Sequence, residues 1–372
     1  MRVVSIVGAR PQFVKLAPVS RAMADHSVTG GTAIDDIIVH TGQHYDASMS
    51  DVFFEELNIP RPDVNLEIGS GLHGAQSGRM LEAIENVLLQ RKPEMVVVYG
   101  DTNSTLAGAL AAAKLCIPIA HIEAGLRSFN RSMPEEVNRV VADHLSDILF
   151  APTATAMRNL KREGLGGKAS NSGDVMLDAV NYNAALAEER SKIRDTLQLA
   201  GTEYAVVTLH RASNTENDAL VDILDTLNAI AAERIPIVFP AHQRTVAVLD
   251  KVGSGWRAVP QLRVIEPVGY LDMLELVGNA RMVLTDSGGL QKEALFLRTP
   301  CITLRDETEW TETVDVGANV LSGRDREQIL SAVDDWLARP ASLQAIEVDG
   351  APFGDGHAAT AIVREILQHK AA

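Results

Sequence analysis

At 372 residues, 46% hydrophobic and 22% charged, the chain has the length of two ordinary domains and the composition of a soluble globular protein, which excludes disordered and fibrous classes. A formal net charge of -15 argues against a non-specific nucleic-acid surface, which is basic as a rule, while leaving room for a local cationic pocket. Two cysteines, Cys116 and Cys301, lie far apart in apolar runs, which predicts buried, reduced thiols in a cytoplasmic protein and no cysteine-based zinc site. The first apolar run, Val3 to Val7, is too short for the centre of a signal peptide, and no apolar stretch reaches ~18 residues, so no membrane span is expected.

From Val3 to about Asn181, strand-like runs alternate with helical segments. RVVSIVG leads into a helix starting near Pro11, and IIVHTGQH precedes the Phe- and Leu-rich FFEELNI. Met95 to Tyr99 and Ile117 to Ile122 flank an Ala/Leu-rich helical segment, a βαβ unit, and ILFAPT (148–153) and SNSGDVML (170–177) follow. This alternation is the signature of a doubly wound parallel sheet. A charged amphipathic helix between Asn181 and Gly201 interrupts it. The pattern restarts with YAVVTLHR (204–211), PIVFPAH (236–242), LRVIEPVGY (262–270), ARMVLTDSGG (280–289) and PCITLRDE (300–307). The expectation is an N-terminal α/β domain over 1–176 and a second over 177–356, with a C-terminal helix near His357 to His369 packing back on the first.

Two strand-to-helix turns suit an anion. Asp286-Ser287-Gly288-Gly289 ends one strand before Leu290-Gln291-Lys292-Glu293, where glycines allow close approach and first-turn amides favour phosphate; a simple tight turn is the alternative. The same four letters surround a protease nucleophile, but the βα alternation and low cysteine count exclude a two-barrel protease. Gly8-Ala9-Arg10-Pro11 with Lys15 puts two cations in a first helical turn against the macrodipole, which an anion between them explains; a solvated surface pair is the alternative. Gly69 to Gly74 fits G-x-G-x-x-G by letters only, lacking a long strand before it; it reads as a loose loop with His73, Gln76 and Arg79 open to a ligand.

Carboxylates gather at strand ends. Asp101 follows one strand, with a helix N-cap as its alternative role. His121 and Glu123, two apart, are expected to share a strand face, although a lone histidine there is usually a satisfied structural residue. Glu135 and Glu136 open a helix after Pro134, where Glu135 has the spacing to pair with Arg139. His210 and Arg211 end another strand; metal ligation by His210 and His242 lacks supporting spacing, so no metal is expected.

These residues, with GARPQFVKLAP (8–18), TGQHYD (41–46), GDTNSTLAGALAA (100–112), HIEAGLRS (121–128), MPEEVNR (133–139), TLHRASN (208–214), LTDSGGLQKEA (284–294) and FGDGHAA (353–359), resemble the non-hydrolysing UDP-N-acetylglucosamine 2-epimerases along nearly the whole chain and in the same order. The resemblance implies an α/β fold of two Rossmann-like doubly wound domains facing a cleft, the glycosyltransferase-B type. It also implies a homodimer without redox cofactor, and C2 inversion of a UDP-sugar through elimination of UDP and re-addition to a 2-acetamidoglucal. By matching positions, it implies Asp101, Glu123, Glu135 and His210 as the catalytic group, without saying which is the base. It implies Arg10, Lys15, Arg211, His242, Ser287, Gly288, Gly289 and Glu293 as UDP-sugar contacts, with Glu293 on the ribose. A second UDP-GlcNAc, an allosteric activator in bacterial members, is implied at Gln43, His44, Gln76 and Arg79.

One stretch departs from the family. Where many members carry Arg-Pro, this chain has Trp310-Thr311, which bears on the sugar recognised more than on UDP or on C2 chemistry. Related epimerases act on sugars modified at C3 or C6, such as UDP-2,3-diacetamido-glucuronic acid, and a UDP-sugar glycosyltransferase is the remaining reading of the same fold.

Overall fold

A computed structural model describes residues 1–29, 32–43, 54, 58–210, 214, 217–241, 245, 256–339 and 351–371, with the side chains of Arg10, Asn217, Asp218, Ala219, Lys370 and Ala371 outside that description. The first sheet comprises β1 (Arg2–Val7), β2 (Asp35–His40), β3 (Val64–Asn65), β4 (Met95–Tyr99), β5 (Ile119–Ile122), β6 (Ile148–Ala151) and β7 (Ala169–Asn171). Their spatial order is β3-β2-β1-β4-β5-β6-β7, with every neighbouring pair parallel. The apolar runs explain the arrangement: Val3, Val4, Ile6 and Val7, interrupted only by buried Ser5, and Val96 to Tyr99 are wholly buried, as strands covered by helices on both faces must be.

The covering helices are α1 (Arg10–Val28), α2 (His73–Arg91), α3 (Asn103–Lys114), α4 (Pro134–Leu145), α5 (Ala154–Arg162) and α6 (Val175–Arg190). Helix α3 packs close to the sheet. A Cβ on Gly108 would lie 2.9 Å from Ile6 Cδ1 and 3.1 Å from Val98 Cγ1, so the small residue sets the helix–sheet distance. Around it Val4, Ile6, Met80, Ile84, Val96, Val98, Ala111 and Ala112 form one apolar cluster, each large aliphatic contributing roughly 1.5–3 kcal/mol of burial.

After the short helix α7 (Ile193–Thr196), a second parallel sheet follows from β8 (Ala205–Thr208), β9 (Ile237–Pro240), β10 (Leu262–Ile265), β11 (Met282–Thr285), β12 (Cys301–Thr303) and β13 (Asn319–Leu321). Its order, β10-β9-β8-β11-β12-β13, repeats the winding of the first. Its helices are α8 (Asn217–Glu233), α9 (Tyr270–Gly278), α10 (Gly288–Phe296), α11 (Thr311–Asp315) and α12 (Arg326–Leu337). The last, α13 (Ala358–Ala371), lies against α1, buries Ile362 and Ile366, and is capped by Asp178, whose carboxylate accepts from the amides of Ala358 at 3.2 Å and Ala359 at 2.9 Å. The chain divides into two compact units, Met1–Ala179 with Ala351–Ala372, and Val180–Gly350.

Three readings differ from what the residues form. The helix read between Asn181 and Gly201 starts earlier, at Val175, and breaks after Arg190, because Gly173-Asp174 ends β7 and Asp174 accepts from the Met176 amide at 2.8 Å. The edge strands β3 and β13, of two and three residues, carry too little pattern to be seen. Cys301 is buried and its thiol pushed up to about 12 by that burial, but Cys116 is exposed: α3 ends before it, and it sits at φ +54° in the turn toward β5. Among the described residues no helix is long and apolar enough to cross a membrane.

Candidate active site

Both sheets reverse their strand order beside their first strand, between β1 and β4 and between β8 and β11. Connections leaving the carboxyl ends there diverge to opposite faces, which opens a crevice for a ligand. In the first unit, Gln12 ties the two diverging turns together. Its Oε1 accepts from the amides of Gly8 at 2.8 Å and Ala9 at 3.1 Å, while its Nε2 donates to the Tyr99 carbonyl at 2.8 Å and Thr105 Oγ1 at 3.0 Å. Gly8 has no room for a side chain, since a Cβ would lie 2.1 Å from both Ser104 Oγ and Thr41 Oγ1.

One turn into α1, Lys15 reaches the carboxylate of Glu123 and forms a nearly buried ion pair with it. Gly100 lies beside that pair at φ +60°; a Cβ there would be 3.1 Å from Lys15 Nζ and 3.2 Å from Glu123 Oε1. The next residue is Asp101, so Lys15, Glu123 and Asp101 gather about one backbone position. Asp101 is not the cap of α3. Thr102 takes that role, accepting from the Thr105 amide, and the Asp101 carboxylate, 30% exposed, is ion-paired with Arg139 of α4.

The shared strand face expected for His121 and Glu123 does not form. Strand β5 ends at Ile122, where it pairs with Tyr99, and Glu123 turns left-handed at φ +71°. His121 therefore points inward and is fully buried. Its Nδ1 lies 2.7 Å from Asp143 Oδ1 and its Nε2 2.7 Å from the Gly100 carbonyl. Asp143 also takes Arg127 at 2.7 Å and the Gly125 amide at 3.1 Å, and Arg127 closes a two-pronged pair with Glu163.

In α4 the two adjacent glutamates separate. Glu135 is exposed, whereas Glu136 is buried and accepts from the Ser128 amide at 2.9 Å, Ser128 Oγ at 3.0 Å, the Phe129 amide at 2.9 Å and Arg139 at 2.6 Å. Burial alone would raise the Glu136 carboxyl, but the Ser128 and Arg139 bonds outweigh it and hold it below the usual range. Arg139 thus serves Glu136 and Asp101 in place of the i, i+4 pair with Glu135 that the spacing suggested. Glu136, Asp143 and Gln12 had no separate sequence signal beyond lying within or near the motifs.

Gly69 to Gly74 is no loose loop: the last two residues open α2, and Gln76 is buried. Gln76 Nε2 donates to the Gly69 carbonyl at 2.8 Å, and its Oε1 accepts from Asn103 at 2.8 Å. Gln43 is likewise buried, accepting from the Ser104 amide and hydroxyl at 3.1 and 2.8 Å, while Arg79 remains exposed. His44, Arg211 and His242 lie outside the described residues, as does the side chain of Arg10.

In the second unit, buried Asp286 anchors the end of β8. It accepts from the His210 amide at 2.9 Å and from Asn214 Nδ2 at 3.0 Å, leaving the exposed imidazole of His210 at the strand's carboxyl end. Ser287 caps α10 by accepting from the Leu290 amide. Space distinguishes the glycines that follow. A Cβ on Gly288 would lie 2.3 Å from Glu309 Oε1, whereas one on Gly289 would meet nothing nearer than Ser287 Oγ at 3.9 Å, so Gly289 is the more open of the two. Glu293 is buried and accepts from Tyr270 Oη at 3.0 Å. Trp310 is buried against the same helix, its ring 3.7 Å from Lys292 Nζ, so this departure from the family pattern builds a cation–π contact behind α10. Among the described residues, no three His, Cys, Asp or Glu side chains are grouped to hold a metal ion.

The sequence model of the family described as UDP-N-acetylglucosamine 2-epimerase matches residues 26–367. A Methanococcus maripaludis protein named UDP-N-acetylglucosamine 2-epimerase homolog is 50% identical, over 99% of this chain and 100% of its own. A Pseudomonas aeruginosa protein named UDP-2,3-diacetamido-2,3-dideoxy-D-glucuronate 2-epimerase is 48% identical, with 99% and 100% covered. Among solved structures, that of Methanocaldococcus jannaschii UDP-GlcNAc 2-epimerase in complex with UDP-GlcNAc and UDP matches with a TM-score of 0.88 at 45% identity, covering 99% of this chain and 100% of that one.

Proposed function

The chain belongs to the UDP-N-acetylglucosamine 2-epimerase family, and from that premise we propose that it is an isomerase that interconverts UDP-GlcNAc and UDP-ManNAc. The C2 proton of such a sugar is too weakly acidic to leave alone. Its removal is coupled to cleavage of the C1–O bond: the C–H electrons form a C1–C2 double bond and UDP departs with the C1–O pair. UDP oxygen then re-adds to C1 while a proton is delivered to the other face of C2.

That sequence needs two acid/base groups placed on either side of C2, and a cationic cradle for the leaving diphosphate. The observation that supports the reading most is the gathering of Asp101, Glu123 and Lys15 about Gly100 at the switch point of the first sheet. We assign acid/base work to Asp101, Glu123, Glu135 and His210. UDP is assigned to Ser287, Gly288 and Gly289 with Arg10, Lys15, Arg211 and His242, and its ribose to Glu293. A homodimer, a cytoplasmic location and a second UDP-GlcNAc acting as activator belong to the same proposal. Gln43 and Gln76 then support the activator site from behind, because both are already engaged in the interior, while Arg79 is exposed to the activator.

A second substrate reading is favoured by Trp310, buried where many members carry arginine, and by the Pseudomonas aeruginosa relative. In it the sugar is UDP-2,3-diacetamido-2,3-dideoxy-glucuronate and the C2 chemistry is unchanged. Incubating the enzyme in D2O with a panel of UDP-sugars and following C2 by NMR tests both: deuterium enters C2 of the true substrate. A glycosyltransferase without acceptor would leave C2 protonated throughout.

A further inference from the structure

We propose that His121 is a positioning residue for this reaction, held as an imidazolium that clamps the Gly100 carbonyl and so fixes Asp101 beside the Lys15–Glu123 pair. The ring is fully buried, and each nitrogen faces an acceptor: Asp143 Oδ1 at 2.7 Å from Nδ1 and the Gly100 carbonyl at 2.7 Å from Nε2. A carbonyl oxygen has no hydrogen to give, so Nε2 carries one proton. At Nδ1 the proton sits either on the ring or on Asp143. Asp143 already accepts from Arg127 at 2.7 Å and from the Gly125 amide at 3.1 Å, bonds that a protonated carboxyl would weaken. Burial by itself would raise the Asp143 carboxyl, and the Arg127 guanidinium at 2.7 Å opposes that whatever the charge on the ring. The Nδ1 proton therefore stays on the ring, which carries two protons and a positive charge.

The charge does structural work at a defined place. Gly100 is held at both ends by β5, its amide donating to the Ile122 carbonyl at 2.9 Å and its own carbonyl accepting from His121. The following carbonyl, of Asp101, accepts from Asn138 at 2.9 Å, and the Asp101 carboxylate is held by Arg139. The charged groups around the clamp are Asp143, which contacts the ring, with Arg127 paired to it, and Lys15, Glu123 and Asp101 beside Gly100. His121 is fully buried, so it orients the acid/base group and does not exchange its proton with substrate. His121 and Asp143 are 22 residues apart, and no linear motif displays the pair.

Ring nitrogen shifts of the whole protein labelled with 15N-histidine decide the protonation state, the His121 signals being those lost in His121→Gln. Both nitrogens are expected at protonated chemical shifts at the pH of the kinetic assay. An unprotonated Nδ1 at that pH overturns the proposal. Kinetics test the positioning role: His121→Phe is expected to lower kcat about 100-fold with KM changed less than about twofold, as misplacement by an ångström does. His121→Gln, which retains a donor for Gly100, recovers part of that loss. Wild-type kcat in His121→Phe contradicts the proposal. The kinetic arm rests on the epimerase reading, and the spectrum of the wild-type protein does not, so absence of C2 exchange in the wild type would defeat that reading alone. The spectrum also stands if His121→Phe fails to fold.

Discussion

Each carboxylate that gathers at Gly100 comes with its own cation, Lys15 for Glu123 and Arg139 for Asp101. Removing one charge is therefore informative. Asp101→Asn and Glu123→Gln keep the shape and remove the acid/base function, so each is expected to reduce C2 exchange by about 10²–10⁴-fold while UDP binding by calorimetry stays near the wild-type value. Full exchange in either variant removes that residue from the catalytic group. Arg139 holds two carboxylates at once, one of them the buried Glu136. Arg139→Met leaves Glu136 buried without its cation and is expected to lower stability by about 3 kcal/mol in urea unfolding. A surface ion pair of the kind the Glu135 spacing suggests would cost under about 1 kcal/mol. How far single residues were legible follows from distance along the chain. Asp101 and His210 stand at the ends of apolar runs and show themselves, whereas the contact of Trp310 with Lys292 spans 18 positions that no periodicity links.

At the scale of elements, the central strands were readable because a parallel sheet covered on both faces demands mostly apolar residues, and β1, β4, β8 and β11 supply them with Ser5, Thr208 and Thr285 as the buried polar exceptions. Strand β13 escaped because its first residue, Asn319, is buried by polar bonds: its Oδ1 accepts from Thr303 at 2.8 Å and its Nδ2 donates to Thr313 at 3.0 Å. Side-chain hydrogen bonding leaves no hydrophobic signature. Helix α3 owes its close approach to Gly108, and Gly108→Val would drive two methyls into Ile6 and Val98. The overpacking is expected to cost about 1–3 kcal/mol, more than the gain from replacing a helical glycine. A thermal midpoint equal to that of the wild type would show that α3 can move away from the sheet.

For the molecule as a whole, one buried group sets a direction with pH. Burial lowers His40 from its ordinary value to about 4, in a ring packed edge-on to Phe13 at 5.0 Å. A folded state that refuses a proton the unfolded chain accepts is stable above the unfolded value near 6.5, and loses that stability as pH falls toward 4. The contribution is about 3 kcal/mol at most. His40→Leu should therefore reduce the loss of urea midpoint between about pH 6.5 and about pH 4 relative to the wild type; an unchanged pH dependence would contradict the assignment to His40.

The two sheets repeat one winding, and each switch point lies beside residues assigned to the reaction, Asp101, Glu123 and Lys15 in the first unit and His210 with Ser287 to Gly289 in the second. The measurement that tests this account most directly is C2 hydrogen exchange in D2O over a panel including UDP-GlcNAc and UDP-2,3-diacetamido-2,3-dideoxy-glucuronate. The account predicts deuterium at C2 and accumulation of the C2 epimer with UDP retained on the sugar. Unexchanged C2 in every UDP-sugar, in the presence of demonstrated UDP binding, would contradict it.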